Sequence, residues 1–273
     1  MDIGDILIRI LFGGVIGFVI GMTSIGAGAL VLPCLIVFLG FAPTLAVGTA
    51  SVYAFTTKIY ATFRHLRLGT VDARFARIFL AGAIPATLIV AWRINQHIAV
   101  LQQRPERLAE FQSALNVIIA MVVLISAAVL ALMLLRRRPS SGEPPASLPW
   151  SERLHGRRRL FVPLVGAVIG ATIGATGVGG GVLIVPVLIL IFRIPAEKTV
   201  GTSIVIAFTV SLLTAIVYGK SGEVEWATAF IMAGAAWVGV HWGSHLTIRI
   251  PDRQLKFFIV LAIAVAATLM FFK

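Results

Sequence analysis

Charge is scarce in this chain. Only 12% of its 273 residues are charged and 59% are hydrophobic, against about 25% and roughly 45–50% in soluble domains. A soluble core of this size has no room for that excess. The apolar residues also fall in long runs, and a run of about 18 or more marks a membrane helix. A soluble protein is excluded. Acidic residues are scarcer still, with 11 Asp and Glu in all and none in the middle of an apolar run. That argues against a carboxylate-based carrier of Na⁺ or metal cations and favours an anionic or neutral solute. The single cysteine, Cys34, lies in an apolar run, so no internal disulfide can form. The N-terminus lacks the basic start, short apolar core and small-residue cleavage site of a signal peptide. The first apolar run is therefore expected to stay in the mature protein. No ATP-binding motif is visible, which disfavours a primary pump acting alone, and no cofactor is implied.

What charge there is has a strong sign, +12 overall. Arg136, Arg137, Arg138, Arg153, Arg157, Arg158 and Arg159 share one polar stretch, together with Pro139, Pro144, Pro145 and Pro149. Such clusters fix orientation or touch anionic head groups rather than nucleic acid. The expectation is a cytoplasmic linker over 136–160 facing anionic lipid, between a first membrane unit (1–135) and a second (161–273), with no nucleic-acid partner. The sequence leaves the oligomeric state open, a homodimer included.

The two units match. The apolar segments run over 6–40, 44–63, 78–92 and 112–135, then 161–192, 199–218, 226–243 and 255–272. A shift of 153 positions puts Gly13, Gly17 and Gly21 on Gly166, Gly170 and Gly174. It also puts Gly26, Gly28 and Pro33 on Gly179, Gly181 and Pro186, and Val47-Gly48-Thr49 on Val200-Gly201-Thr202. This is an internal duplication, the common plan of secondary transporters.

The first segment of each unit is too long for one crossing. Residues 6–40 would make a helix of about 52 Å, against a hydrocarbon core of about 30 Å. Each such segment carries glycines near its middle, Gly26-Ala27-Gly28 and Gly179-Gly180-Gly181, so a break and a hairpin are expected there. Charge counting agrees. With the linker inside, hairpins invert the second unit and place 16 lysines and arginines inside against 6 outside. Single crossings give 14 against 8. The positive-inside rule favours inversion. The expected fold is all-α: a polytopic membrane protein of two inverted repeats, each a broken first segment plus three spanning helices.

Broken backbone at membrane depth is tolerated only where it is buried or lines a cavity, which makes the breaks the candidate substrate site. The helices that resume at Gly28 and Gly181 offer unpaired N–H groups to an anion. Gly26, Gly179 and Gly180 allow close approach, and Ser24, Thr176 and the pairs Thr49/Ser51 and Thr202/Ser203 add hydroxyls. The bland alternative, small residues that only let helices pack, fits Gly17, Gly21, Gly170 and Gly174 better. Lys58, about fifteen residues into its segment, either attracts an anion or snorkels toward the interface marked by Arg64 and His65. His241 and His245 stand four apart, a spacing a metal can use, but with two ligands and Trp242 beside them an interfacial belt explains them better. No metal is expected. Gly219-Lys220-Ser221-Gly222 reads GxSG, a pattern of intramembrane serine proteases, which would pair Ser221 with His241 or His245. A turn explains it better, because Gly69 matches Gly222. An anion channel is the remaining alternative to a carrier.

The run Gly174-Ala175-Thr176-Gly177-Val178-Gly179-Gly180-Gly181-Val182-Leu183-Ile184-Val185-Pro186, followed by Val200-Gly201-Thr202-Ser203, resembles the TauE/SafE family of membrane permeases. The first unit carries a degenerate version, with Ser24, Ala27 and Ala29 matching Gly177, Gly180 and Val182. The resemblance spans nearly the whole chain. It implies a transporter of the bacterial inner membrane and, as substrate class, sulfite, sulfoacetate or other sulfur-containing organic anions.

Overall fold

The computed structural model describes residues 2–23, 28–135, 161–178 and 180–246, with positions 260, 261, 263–265 and 267–270. The linker calls over 136–160 lie outside the described residues, as do Ser24, Gly26 and Gly179. Among the described residues the elements are all helical. They are α1 (Ile3–Thr23), α2 (Gly28–Pro33), α3 (Pro43–Arg67), α4 (Ala73–Leu101), α5 (Pro105–Leu135), α6 (Phe161–Thr176), α7 (Gly181–Pro186), α8 (Ala196–Lys220) and α9 (Trp226–Leu246). Positions described between 260 and 270 are helical as well. Windows in α1, α4, α5 and α8 are long and apolar enough to cross a membrane, with mean hydropathies of 2.2, 1.8, 2.8 and 2.2.

The exposed surface fits that setting. Leu7, Leu11 and Val15 of α1, Leu164 and Val168 of α6, and Phe230, Trp237 and Val238 of α9 all stand exposed. Exposed apolar side chains in such number suit lipid, not water. Trp226 and Trp242, near the two ends of α9, are also exposed, where interfacial aromatics belong.

The second long first segment is interrupted as expected, α6 stopping at Thr176 before α7; in the first, α1 is described to Thr23 and α2 from Gly28. Each short helix ends on a proline, Pro33 or Pro186, and continues as one π turn, Cys34–Phe38 or Val187–Ile191. Proline has no N–H to give and its ring crowds the preceding carbonyl. The ladder therefore resumes with wider spacing: the Leu39 N–H donates to the Cys34 carbonyl and that of Phe192 to Val187, both at 3.2 Å. These two pairs are 153 positions apart, and so are the bounds of α2 and α7 and of α3 and α8.

Contacts between the halves come in reciprocal pairs. The Glu225 N–H donates to Thr49 Oγ1 at 3.0 Å, and the Asp72 N–H donates to Thr202 Oγ1 at 2.9 Å. Each residue of the first bond has its counterpart, 153 positions away, in the second. A β-carbon built at Gly48 would overlap the Glu223 carbonyl oxygen, while one at Gly201 would meet that of Thr70 at 2.7 Å. At the centre Phe55 faces its own counterpart Phe208, ring centroids 5.1 Å apart. The start of α3 thus lies beside the turn that follows α8, and the start of α8 beside the turn that follows α3. The two helices run antiparallel about a pseudo-two-fold axis near Phe55 and Phe208.

Two small-residue seams complete the frame. In α1 against α9, β-carbons at Gly13 and Gly17 would overlap Met232 and Ala236. In α4 against α6, those at Gly166 and Gly170 would overlap Phe79 and Ala83. Spacing by four on both partners makes each pair parallel and closely packed, the role expected of Gly17 and Gly170. The Arg9 Nε–H donates to Thr228 Oγ1 at 2.8 Å in one seam, and Thr87 Oγ1–H to the Gly170 carbonyl at 2.8 Å in the other. Because α9 starts beside the start of α3, α1 runs parallel to α3. Only a chain that turns back between Thr23 and Pro43 can achieve that. By the reciprocal contacts α6 runs parallel to α8, and the second segment turns back too.

Candidate functional site

The helix at the centre is the least apolar of the long ones. Thr44, Thr49, Ser51 and Thr62 of α3 are buried, and Lys58 is half-buried. Lys58 Nζ donates to the Ala54 carbonyl one turn back, at 3.1 Å. The ammonium therefore points toward the layer of Phe55 and Phe208, away from Arg64 and His65, where snorkelling would send it. Among the described residues it makes no ion pair; the one present is Arg9 with Asp5, at 3.9 Å.

The second break reaches the same layer. Gly177 turns the chain with φ +61, beside Val47 of α3, a conformation that costs a side-chain-bearing residue roughly 1–2 kcal/mol. Thr176 Oγ1 accepts from the Val178 N–H at 3.3 Å and donates to the Thr172 carbonyl at 2.7 Å, which stitches the turn to the end of α6. By Gly180 the chain has returned to mid-length of α8: a β-carbon there would lie 3.0 Å from that of Ala207, the neighbour of Phe208. The other near atoms belong to Ile184 and Ile173, so the wall around Gly180 is apolar. Gly181 opens α7, and Gly28 opens α2. These two short helices touch each other, and both touch α5.

The four hydroxyls expected to converge with the breaks do not meet one another. Thr49 and Thr202 each lie six residues from the Phe55–Phe208 contact, on antiparallel helices. That separates them by about 18 Å at 1.5 Å per residue. Thr49 and Thr202 accept backbone N–H groups across the repeat interface. Ser51 Oγ donates to the Val47 carbonyl at 2.7 Å and Ser203 Oγ to that of Val200 at 2.9 Å. Sequence offset showed that these pairs correspond, but only helix direction decides whether corresponding residues meet. Lys58, Gly180 and the phenylalanine pair are what the fold brings to one layer.

Ser221 sits in the turn after α8, where its hydroxyl donates to the Val217 carbonyl at 3.2 Å and Gly222 takes φ +77. His241 lies fifteen residues into α9, about 22 Å along that helix. Ser221 and His241 therefore stand too far apart to pair with each other. The His245 side chain lies outside the described residues.

Sequence reasoning missed one polar cluster. Thr44 Oγ1 donates to Glu223 Oε2 at 2.7 Å and accepts from Gln112 Nε2 at 3.0 Å, joining α5, α3 and the α8–α9 turn. The signal was faint: an acid and an amide at segment ends, ordinary as loop residues until the inverted packing brings them together.

The Sulfite exporter TauE/SafE family profile matches residues 9–270. The chain belongs to this family. A probable membrane transporter protein, YjnA of Bacillus subtilis (strain 168), is 30% identical over 257 residues, covering 94% of this chain and 96% of the relative. A probable membrane transporter protein of Xylella fastidiosa (strain 9a5c) is 31% identical over 241 residues, covering 86% and 82%. No solved structure matches this chain. Like its relatives, this multi-pass membrane protein of the TauE/SafE family falls among transporters and not enzymes.

Proposed function

We propose that the protein is a secondary transporter carrying a small anion, sulfite or a sulfur-containing organic anion, across the bacterial inner membrane. The observation that carries this reading is Lys58, whose ammonium is turned toward the middle of α3 with no carboxylate beside it among the described residues. A cation near the bilayer centre costs roughly 2.5–3.5 kcal/mol on insertion scales. A fold retains that cost where the charge draws a substrate. The same layer holds Gly180 and the Phe55–Phe208 contact, between the two halves that rock against each other in transporters of this plan. We take the Arg-rich linker as cytoplasmic by the positive-inside rule; antiparallel α3 and α8 then have their pseudo-two-fold axis in the membrane plane and the Thr44–Glu223 end outside. The family's description supplies the sulfur-containing class, and the scarcity of acids in the spans agrees with an anion.

The test is flux in proteoliposomes with Lys58→Met and Lys58→Arg. Met, close in length but uncharged, is expected to abolish most transport of sulfite or an alkyl sulfonate while the protein elutes as wild type; Arg retains part. Wild-type flux in Lys58→Met would remove Lys58 from the pathway.

A further inference from the structure

A second polar site stands at the outer end, well away from Lys58. A cavity of about 280 Å³ lies between the last turns of α4 and the α8–α9 turn, lined among others by Trp92, Asn95, Gln96, Gln102, Ser221 and Glu223. Its polar groups lean toward accepting. Asn95 is only 6% exposed; its Nδ2 donates to the Ala91 carbonyl at 2.8 Å, but its Oδ1 has no partner. A buried acceptor left unmade costs about 1–3 kcal/mol, and a ligand donor would relieve it. Glu223 brings a full negative charge, held in place by the Thr44 hydroxyl. Among the described residues no lysine or arginine lines the cavity. The nearby Arg93 guanidinium lies over the Trp92 ring, 5.9 Å from its centroid.

A carboxylate, an unsatisfied carbonyl oxygen and neutral amides around a space of this size suit a small cation with several N–H donors. We propose that this outer cavity binds an ammonium group, carried by a free small amine or by the amino end of a zwitterionic substrate. The site does not depend on Lys58. It adds a cation-recognising vestibule to a path whose centre attracts anions.

Titration calorimetry on the purified full-length protein tests this, with ethylammonium, 2-aminoethanesulfonate and ethanesulfonate as probes. Saturable binding is expected for one or both amines and not for ethanesulfonate. Ethylammonium binding marks a free-amine site, and 2-aminoethanesulfonate binding alone marks a zwitterion site. Glu223→Gln keeps an acceptor for Thr44 and removes the charge, so amine affinity should fall at least tenfold. Gln102→Glu adds a charge to the lining and should tighten it several-fold, a gain that misfolding cannot imitate. Lys58→Met should leave amine binding unchanged. Amine binding that ignores both charge variants, ethanesulfonate binding as tight as that of the amines, or no saturation by any probe would overturn the assignment.

Discussion

Thr49 and Thr202 do the same work in opposite directions. Thr49 takes the Glu225 N–H at 3.0 Å and Thr202 takes that of Asp72 at 2.9 Å. Each hydroxyl ties the start of one central helix to the turn after the other, so the pair acts as matched clasps across the repeat interface. Both threonines are buried, 1% and 0% exposed. Replacing either with valine removes a hydrogen bond from a part-buried N–H, which costs about 0.5–1.5 kcal/mol. Thr49→Val and Thr202→Val should therefore lower the melting temperature in detergent by similar amounts. A large loss for one and none for the other would show that the clasps are not equivalent.

The helix seams make a sharper contrast. A β-carbon at Gly170 would overlap the Ala83 carbonyl, while one at Gly234 of α9 would meet nothing within 4 Å. Overpacking against a side chain costs about 1–3 kcal/mol, and backbone yields less readily. Gly170→Val should reduce the yield of monodisperse protein strongly, with Gly234→Ala indistinguishable from wild type. Equal yields from both would contradict the close α4–α6 packing.

Inversion is testable from outside the cell. Leu68 and Ser221 cap the C-terminal ends of α3 and α8, 153 positions apart. Single cysteines at these positions, in a Cys34→Ala background, should label differently with a membrane-impermeant maleimide. Ser221→Cys should react in intact spheroplasts, and Leu68→Cys only after permeabilisation. Labelling from the same side would mean that the halves are parallel.

Much of this architecture was written in glycine and proline. Their recurrence at a shift of 153 located both breaks, because glycine and proline interrupt a helix through backbone chemistry that needs no tertiary context. The seams were legible for the same local reason: small residues four apart on one helix face. What the sequence left open was where matched residues end up in space. Thr49 and Thr202 correspond in sequence yet lie at opposite ends, whereas Phe55 and Phe208 correspond and touch, and distance from the axis makes the difference. Glu223, Thr44 and Gln112 are far apart along the chain and unremarkable one by one. Asn95 is recognisable only once its oxygen is seen to be buried without a partner. The direction of Lys58 also needed the fold, since attraction and snorkelling begin from the same residue and differ only in which way the stem turns.

Counterflow in proteoliposomes tests the central claim, carriage of a small anion by alternating access, most directly. Vesicles loaded with unlabelled sulfite or alkyl sulfonate and diluted into a trace of the labelled anion should accumulate label transiently above its equilibrium level. The Lys58→Met protein should lose most of that overshoot. A carrier's site faces one side at a time, so outward-moving substrate drives label inward, which a pore cannot do. Flux that relaxes to equilibrium without an overshoot would identify an anion channel, and no flux of either anion above empty vesicles would contradict the assignment of substrate.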